Sequence, residues 1–310
     1  LALTLAHAAE SPLCLGPVSS ARALTALSGG HGCGRVHACT APRYLLLDAA
    51  SYGEGAAEGL KYVCMPPLRA PRDGRLLWDA LARGLLDHVV SAHDEVSYAR
   101  KWATGRESVF ACPQGMPGVE TRLPLLFSEG VRKSRLTLPR FVDVACTTPA
   151  RLLGLGGRKG RLDAGFDADV VVLDPACRRE LSARELHQGD YTPYEGLEVQ
   201  GWPRHVWARG RRMVTDGAWS GPEQGGTGAA SLTGVPRLFC FGGALGRVRL
   251  AGYKNASHPC CGARLTAVPP QATGGTAPAG RAGRPETGPC GPVFLPVRPG
   301  APHSHGGALR

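Results

Sequence analysis

The first ten residues, LALTLAHAAE, carry apolar side chains at helical spacing, and the short apolar run Leu13-Cys14-Leu15 that follows is the length of a buried strand. SSARALTALSGG then returns to helical spacing and stops at Gly29 and Gly30, where a glycine can take the left-handed turn that ends a helix. An apolar stretch at Arg35 to Ala38, a helix over Leu76 to Arg83 and a buried strand over Asp87 to Ser91 continue the alternation. Helix and strand in turn predict β/α units around a parallel sheet. Residues Thr121 to Leu155 read as mainly helical, with a helix restart at Thr148-Pro149, a hydroxyl cap followed by proline at the first helical position.

The period changes after Gly165. Asp169 to Pro175 is a β-branched run closed by proline, and HVWARGRRMVTDG reads as two strands joined across Arg209-Gly210. A small β domain is therefore expected after the α/β part, with the boundary near residue 156. Beyond Trp219 the chain is rich in Gly, Ala and Pro without sustained periodicity, and a segment such as QATGGTAPAGRAGRPETGPCGP cannot offset the entropy of ordering its backbone. The expected organisation is 1–155 as α/β units, 156–219 as a β domain and 220–310 as a disordered tail or a translated wrong frame.

Composition narrows the function. A hydrophobic content of 43% supports a real core in 310 residues, and no apolar run approaches the roughly 20 residues of a membrane span. The opening lacks the basic region of a signal peptide, which makes a cytoplasmic protein the expectation. The net charge of +11 suggests nucleic acid at first sight. Residues 221–310 hold nine Lys+Arg against two Glu, a net +7, leaving +4 for the rest, so the folded part has no basic face for a polyanion. Eleven cysteines are scattered without CxxC spacing, the pattern of reduced, buried thiols. The first residue is Leu1 and the opening helix has no cap, which reads as an N-terminal truncation.

Several blocks together carry a resemblance. KYVCMPPLR (Lys61 to Arg69), LLWDALARG (Leu76 to Gly84), PQGMPGVETRLPLLFSEGVRKSRL (Pro113 to Leu136), TTPARLLGLGGRKGRLDAGFDADVVVLDP (Thr147 to Pro175) and YTPYEGLEVQGWP (Tyr191 to Pro203) are similar, in this order, to the dihydropyrimidinase and D-hydantoinase family of metal-dependent cyclic amidases in the amidohydrolase superfamily. The resemblance covers roughly residues 1–219. It implies an α/β fold: the C-terminal part of a TIM-type (β/α)8 barrel, here its last three units, followed by the C-terminal share of a small β-sandwich. It also implies a hydrolase that opens a small cyclic amide or imide by metal-activated water, a pair of zinc ions, a homotetramer, and no nucleic-acid or membrane partner.

Carried over position by position, little of the metal site is present. The HxH pair, the carboxylated lysine and the first later histidine have no counterpart in this chain, and Pro17 stands where a histidine ligand belongs. Matching Val96-Ser97-Tyr98 to the family makes Asp94 the metal ligand and catalytic acid/base, whereas matching the Asp-His pair makes Ala92 a lost aspartate beside a retained His93. Backbone groups of Met65 and Gln114 occupy the substrate-binding positions. A weak or inactive enzyme is expected, the alternatives being a non-catalytic scaffold like the collapsin-response relatives or a gene remnant. His31, His37, Cys33 and Cys39 could be spelled into a zinc site but read better as packing and loop, and His303 and His305 in the tail form an HxH by spelling only. Arg132, Lys133 and Arg135 read as a solvated helix end, and Gly154 to Gly157 lacks the context of a phosphate loop.

Overall fold

The computed structural model describes residues 1–29, 36–53, 56–221, 239–241 and 249–250. After helix α1 (Ala2–Ala8), strand β1 (Leu13–Leu15) leads into α2 (Ala21–Ser28). Ser20 caps α2 by accepting from the Ala23 amide at 3.3 Å. A second cap comes from far away in sequence: the buried Asp73 carboxylate accepts from the Ala21 amide at 2.7 Å, joining the starts of two helices.

Strand β2 (Val36–Thr40) runs past Ala38 to Thr40 and is followed by α3 (Pro42–Leu46), a turn of 3-10 helix, and the short α4 (Ala56–Gly59). Helix α5 (Pro71–Arg83) begins five residues before the expected Leu76, because Pro71 at its first position suits a helix start, and it ends as expected on a left-handed glycine, Gly84 at φ +84°. Its inward face buries Leu77, Trp78, Ala80 and Leu81. Each fully buried large apolar side chain of this kind contributes roughly 1.5–3 kcal/mol, so this face outweighs the modest propensity of the helix itself. Strand β3 is only His88–Val89, shorter than the expected Asp87 to Ser91, although Asp87 and Val90 still donate to the Ala38 and Thr40 carbonyls of β2.

Strands β1, β2 and β3 pair in parallel, with Cys14 opposite His37 and Cys39 opposite His88. On the free side of β1 the chain supplies β8 (Phe239–Phe241), parallel to β1, and β9 (Arg249–Leu250), giving the order β3-β2-β1-β8-β9. The rest of the tail falls outside the described residues.

After α6 (Tyr98–Gly105), the helical region opens with α7 (Arg122–Leu125) and runs into a π-helical segment at Leu126–Arg132. Helix α8 (Leu138–Val142) is capped by Thr137, passes through a second π-helical segment, Asp143–Thr147, and continues as α9 (Thr148–Leu152). The expected restart at Thr148 is therefore corrected. Thr147 and Thr148 are both helical, and the wider turn before them accommodates Pro149, which has no N–H for the usual ladder. The Thr148 hydroxyl donates to Asp143 at 2.7 Å instead of capping a new helix.

The remaining strands form a separate antiparallel sheet, β4 (Val170–Glu180), β5 (Glu198–Ala208), β6 (Arg211–Thr215) and β7 (Ala218–Trp219), in chain order. Pro175 does not end β4 as expected; register irregularities at Val172/Leu173 and Asp174/Arg178 let the ladder resume beyond it. The turn at Arg209-Gly210, with φ +50° and +77°, has the left-handed geometry that matches strand twist in a two-residue hairpin. This sheet is packed onto the helical part. Phe127 and Phe141 meet edge to face at 5.7 Å, Leu173 of β4 joins their core, and the Gln200 amide of β5 donates to the Ser128 hydroxyl at 3.1 Å. Gly201, at φ +105°, lies so close to Phe127 that a methyl group there would stand 2.2 Å from the ring.

Candidate active site

The loops that leave the C-terminal ends of the parallel strands converge. Beyond β1, the Val18 amide donates to the Cys39 carbonyl at 2.7 Å and the Thr40 hydroxyl donates to the Val18 carbonyl at 2.8 Å, which fixes Pro17 at the strand end. Beyond β2, Arg43 crosses to the next strand end and donates from Nη1 to the Ala92 carbonyl at 3.1 Å. Beyond β3, Ala92 takes φ +48°, His93 forms a parallel bridge with Met116, and the Asp94 amide donates to the Met116 carbonyl at 3.0 Å.

Gly115 is the meeting point. Its amide donates to the Val63 carbonyl at 3.1 Å, which ties the Gln114 loop to the Met65 loop. Its φ of +131° and the Asp94 side chain lying on its Cα, where an added Cβ would be 2.5 Å from the aspartate Cβ, leave no room for any other residue. The Tyr191 hydroxyl reaches its carbonyl at 3.4 Å from the segment before β5. The segments of Met65, Gln114 and Asp94 are thus brought together through the backbone of one glycine. All three side chains are exposed, Met65 by 40%.

Behind this surface lies a buried charge. Lys101 of α6 is wholly buried, and its Nζ donates to the carbonyls of Leu60 at 3.2 Å and Val63 at 2.8 Å. Burial pushes the ammonium down to about 8; Cys112, Cys64 and Asp94 pull it back up and Arg43 lowers it further. Burial raises the Cys64 and Cys112 thiols and the Tyr44 and Tyr191 phenols, so they serve as neutral donors and not as anions. Tyr52, whose hydroxyl accepts from the Leu68 amide, is pushed up to about 12 for the same reason. Lys101 and Arg43 were not anticipated from the sequence. A spacing signal existed for the first: Lys101 and Gly105 share the buried face of α6, four residues apart.

The donor set does not fit a two-metal centre. The Pro17 side chain offers no lone pair, that of Ala92 is only a methyl group, and His93 already accepts at Nδ1 from the Gly118 amide at 3.2 Å. Among the described residues no group of three or more His, Cys, Asp or Glu could hold a metal ion. His37 lies 3.3 Å from Asp87, and Cys39 packs against Gly16. His31, Cys33, His303 and His305 lie outside the described residues. Lys133 and Arg135 both face Glu129, at 2.7 and 3.8 Å, and Arg135 also stacks over Trp78.

Residues 77–213 match the Amidohydrolase family. D-phenylhydantoinase of Escherichia coli O1:K1 / APEC is 40% identical over 183 residues, 59% of this chain and 39% of that enzyme. The dihydropyrimidinase of Brevibacillus agri NCHU1002 superposes with a TM-score of 0.69 at 36% identity, covering 71% of this chain and 48% of that one. The D-hydantoinase of a Thermus sp. gives the same values. The chain therefore spans less than half the length of these relatives. The chain has the α/β fold of the C-terminal part of a TIM-type barrel, followed by part of a small β-sandwich. No helix among the described residues is long and apolar enough to cross a membrane.

Proposed function

We propose that this chain acts as a cyclic-amidase-type hydrolase of the dihydropyrimidinase and hydantoinase kind. In this reading it recognises a small cyclic amide or imide through backbone groups of Met65 and Gln114. Asp94 is the carboxylate that handles the proton, and it would give one ligand to a metal whose other donors the described residues do not supply. The observation that carries the reading is Gly115, whose amide, Cα and carbonyl hold the Met65 loop, Asp94 and Tyr191 against one another. Backbone donors and acceptors survive side-chain replacement, so methionine and glutamine at these positions do not abolish ring binding. Zinc is the metal of this reading, and it needs further donors besides Asp94. The assembly of this reading is a homo-oligomer, the tetramer that the family resemblance implies. A cytoplasmic setting is supported by Cys64, Cys112, Cys146 and Cys177, which are free thiols.

Pro17 and the methyl group of Ala92 favour a second reading, a non-catalytic scaffold that keeps the ring-binding surface. One experiment separates the two: zinc per chain on purified, zinc-supplemented protein, with loss of dihydrouracil absorbance followed in the same sample. Turnover with about two zinc ions per chain, lost in Asp94→Asn, supports the hydrolase. Saturable dihydrouracil binding without metal or turnover supports the scaffold. Absence of both binding and turnover overturns the cyclic-amide reading.

A further inference from the structure

Lys101 is wholly buried in α6, where a methionine would fill much the same space without the cost of taking an ammonium out of water. A methionine could not donate. Nζ of Lys101 donates to the Leu60 carbonyl at 3.2 Å and to the Val63 carbonyl at 2.8 Å. The Val63 oxygen is shared, because the Gly115 amide donates to it as well, at 3.1 Å. A carbonyl has two lone pairs, and here each holds a different segment. Met65 is separated from Val63 by Cys64 alone, Gln114 immediately precedes Gly115, and only Glu95, Val96 and Ser97 lie between Asp94 and the start of α6. The three segments of the candidate site thus meet at one oxygen.

Helix α6 is itself fixed on both sides of Lys101. At its start the Ser97 hydroxyl accepts from the Arg100 amide at 3.3 Å, the Asp190 carboxylate accepts from the Tyr98 amide at 3.0 and 3.1 Å, and the Tyr98 hydroxyl donates to the Ala57 carbonyl at 3.2 Å. At its end Gly105 lies so close to the neighbouring loops that an added Cβ would stand 2.9 Å from Cβ and Sγ of Cys112 and from Cδ2 of Leu60. A helix held at both ends leaves Nζ little freedom to follow its acceptors, so the acceptors are held by Nζ. We propose that Lys101 is a positioning residue: its Nζ, through the Val63 carbonyl, sets the spacing of the Met65 segment, the Gln114-Gly115 turn and Asp94. It acts as a donor and not as a counter-charge, since both its acceptors are main-chain carbonyls. That the spaced segments receive a ring rests on the cyclic-amide reading; that Lys101 spaces them rests on its hydrogen bonds alone.

The test uses the full chain and reads position apart from stability. Amide hydrogen exchange of Gly115 reports the bond to Val63, and the amides of Asp87 and Val90, which donate to β2, report the parallel sheet. Lys101→Met keeps the apolar stem and loses every donor, whereas Lys101→Gln keeps N–H donors and loses the charge. In Lys101→Met the Gly115 amide should exchange about tenfold faster or more while Asp87 and Val90 stay within about threefold of wild type, and Lys101→Gln should recover part of the loss. Dihydrouracil, titrated calorimetrically, should bind Lys101→Met about tenfold more weakly than wild type or worse. Unchanged Gly115 exchange in Lys101→Met overturns the proposal. So does equal acceleration of Gly115, Asp87 and Val90, or a chain that no longer folds, since either makes the lysine a support of the whole fold. Exchange as fast in Lys101→Gln as in Lys101→Met overturns it too, by assigning the effect to the charge. Equal dihydrouracil affinity of wild type and Lys101→Met would mean that the spacing has no bearing on the ring, and the assignment falls. If dihydrouracil binds neither, the cyclic-amide reading has failed and Gly115 exchange alone decides Lys101.

Discussion

Replacing Gly115 by alanine tests the geometry on which the candidate site depends. Two penalties act at once. At φ +131° an L-residue is held in a region it rarely adopts, at a cost of about 1–3 kcal/mol. The new methyl group would also lie 2.5 Å from the Asp94 Cβ and 2.6 Å from its Cγ and Oδ2. Rotating the aspartate cannot clear its own Cβ, so the backbone of one loop has to move, and overpacking of this kind costs about 1–3 kcal/mol more. The total of about 2–6 kcal/mol is a large fraction of the 5–15 kcal/mol that holds a typical domain together. Equilibrium urea unfolding followed by tryptophan fluorescence reads it. Asp94→Gly separates the two penalties, because it removes all three crowded atoms where Asp94→Ala would leave the Cβ in place. The double variant Gly115→Ala/Asp94→Gly should show a favourable coupling of about 1–3 kcal/mol relative to the sum of the singles. A Gly115→Ala protein within about 0.5 kcal/mol of wild type, or a coupling indistinguishable from zero, would refute the close approach.

Two further predictions concern stability. His88 is buried on β3 with Nδ1 unpartnered, and burial pushes its imidazole down to about 4 against the opposing influence of Asp87, with His37 and Arg122 lowering it further. Because the folded value lies below the unfolded value of 6.5, the unfolded chain binds more protons between them. Stability is therefore full above about pH 6.5 and falls as pH drops towards 4, by about 3 kcal/mol in all. His88→Leu should flatten that slope in urea melts at stepped pH, and an unchanged slope would place the proton uptake elsewhere. Arg140 donates from Nε to the Leu81 carbonyl at 2.9 Å and from Nη2 to the Leu86 carbonyl at 2.7 Å, closing the end of α5, and it also pairs with Asp143. Arg140→Ala should cost about 2–4 kcal/mol in urea unfolding, and a loss under about 1 kcal/mol would mean that water replaces these bonds.

Much of the architecture was legible because local signals agreed with the tertiary outcome. The end of the helix at Arg83, the hairpin across Arg209-Gly210 and the β-branched start of β4 each follow from backbone preference or side-chain period, and the structure has them where the sequence put them. Errors arose where long-range contacts overrode a local rule. Pro149 read as the first position of a new helix and Pro175 as the end of a strand, yet a π-helical turn absorbs the first and a break in ladder register the second. The site was legible only in outline. The family resemblance pointed to Asp94, Met65 and Gln114, but the groups that hold their loops are a glycine amide and a buried lysine. Charged side chains are assumed solvated unless a partner is visible, and the partners of Lys101 are main-chain carbonyls that no side-chain alphabet reveals.

The contact between Gly201 and Phe127 bears on how this molecule can change. A strand position open only to glycine is dictated by an aromatic ring on a helix far upstream, and the neighbouring Gln200 amide relies on Ser128 of that same helix. The change of period after Gly165 therefore marks a change of secondary structure without marking a seam. An exchange of the antiparallel sheet between relatives, in the laboratory or by recombination, is compatible with the new host only if the segment from Phe127 to Ser128 travels with it or already matches. Substitutions at the two places are inherited as a pair.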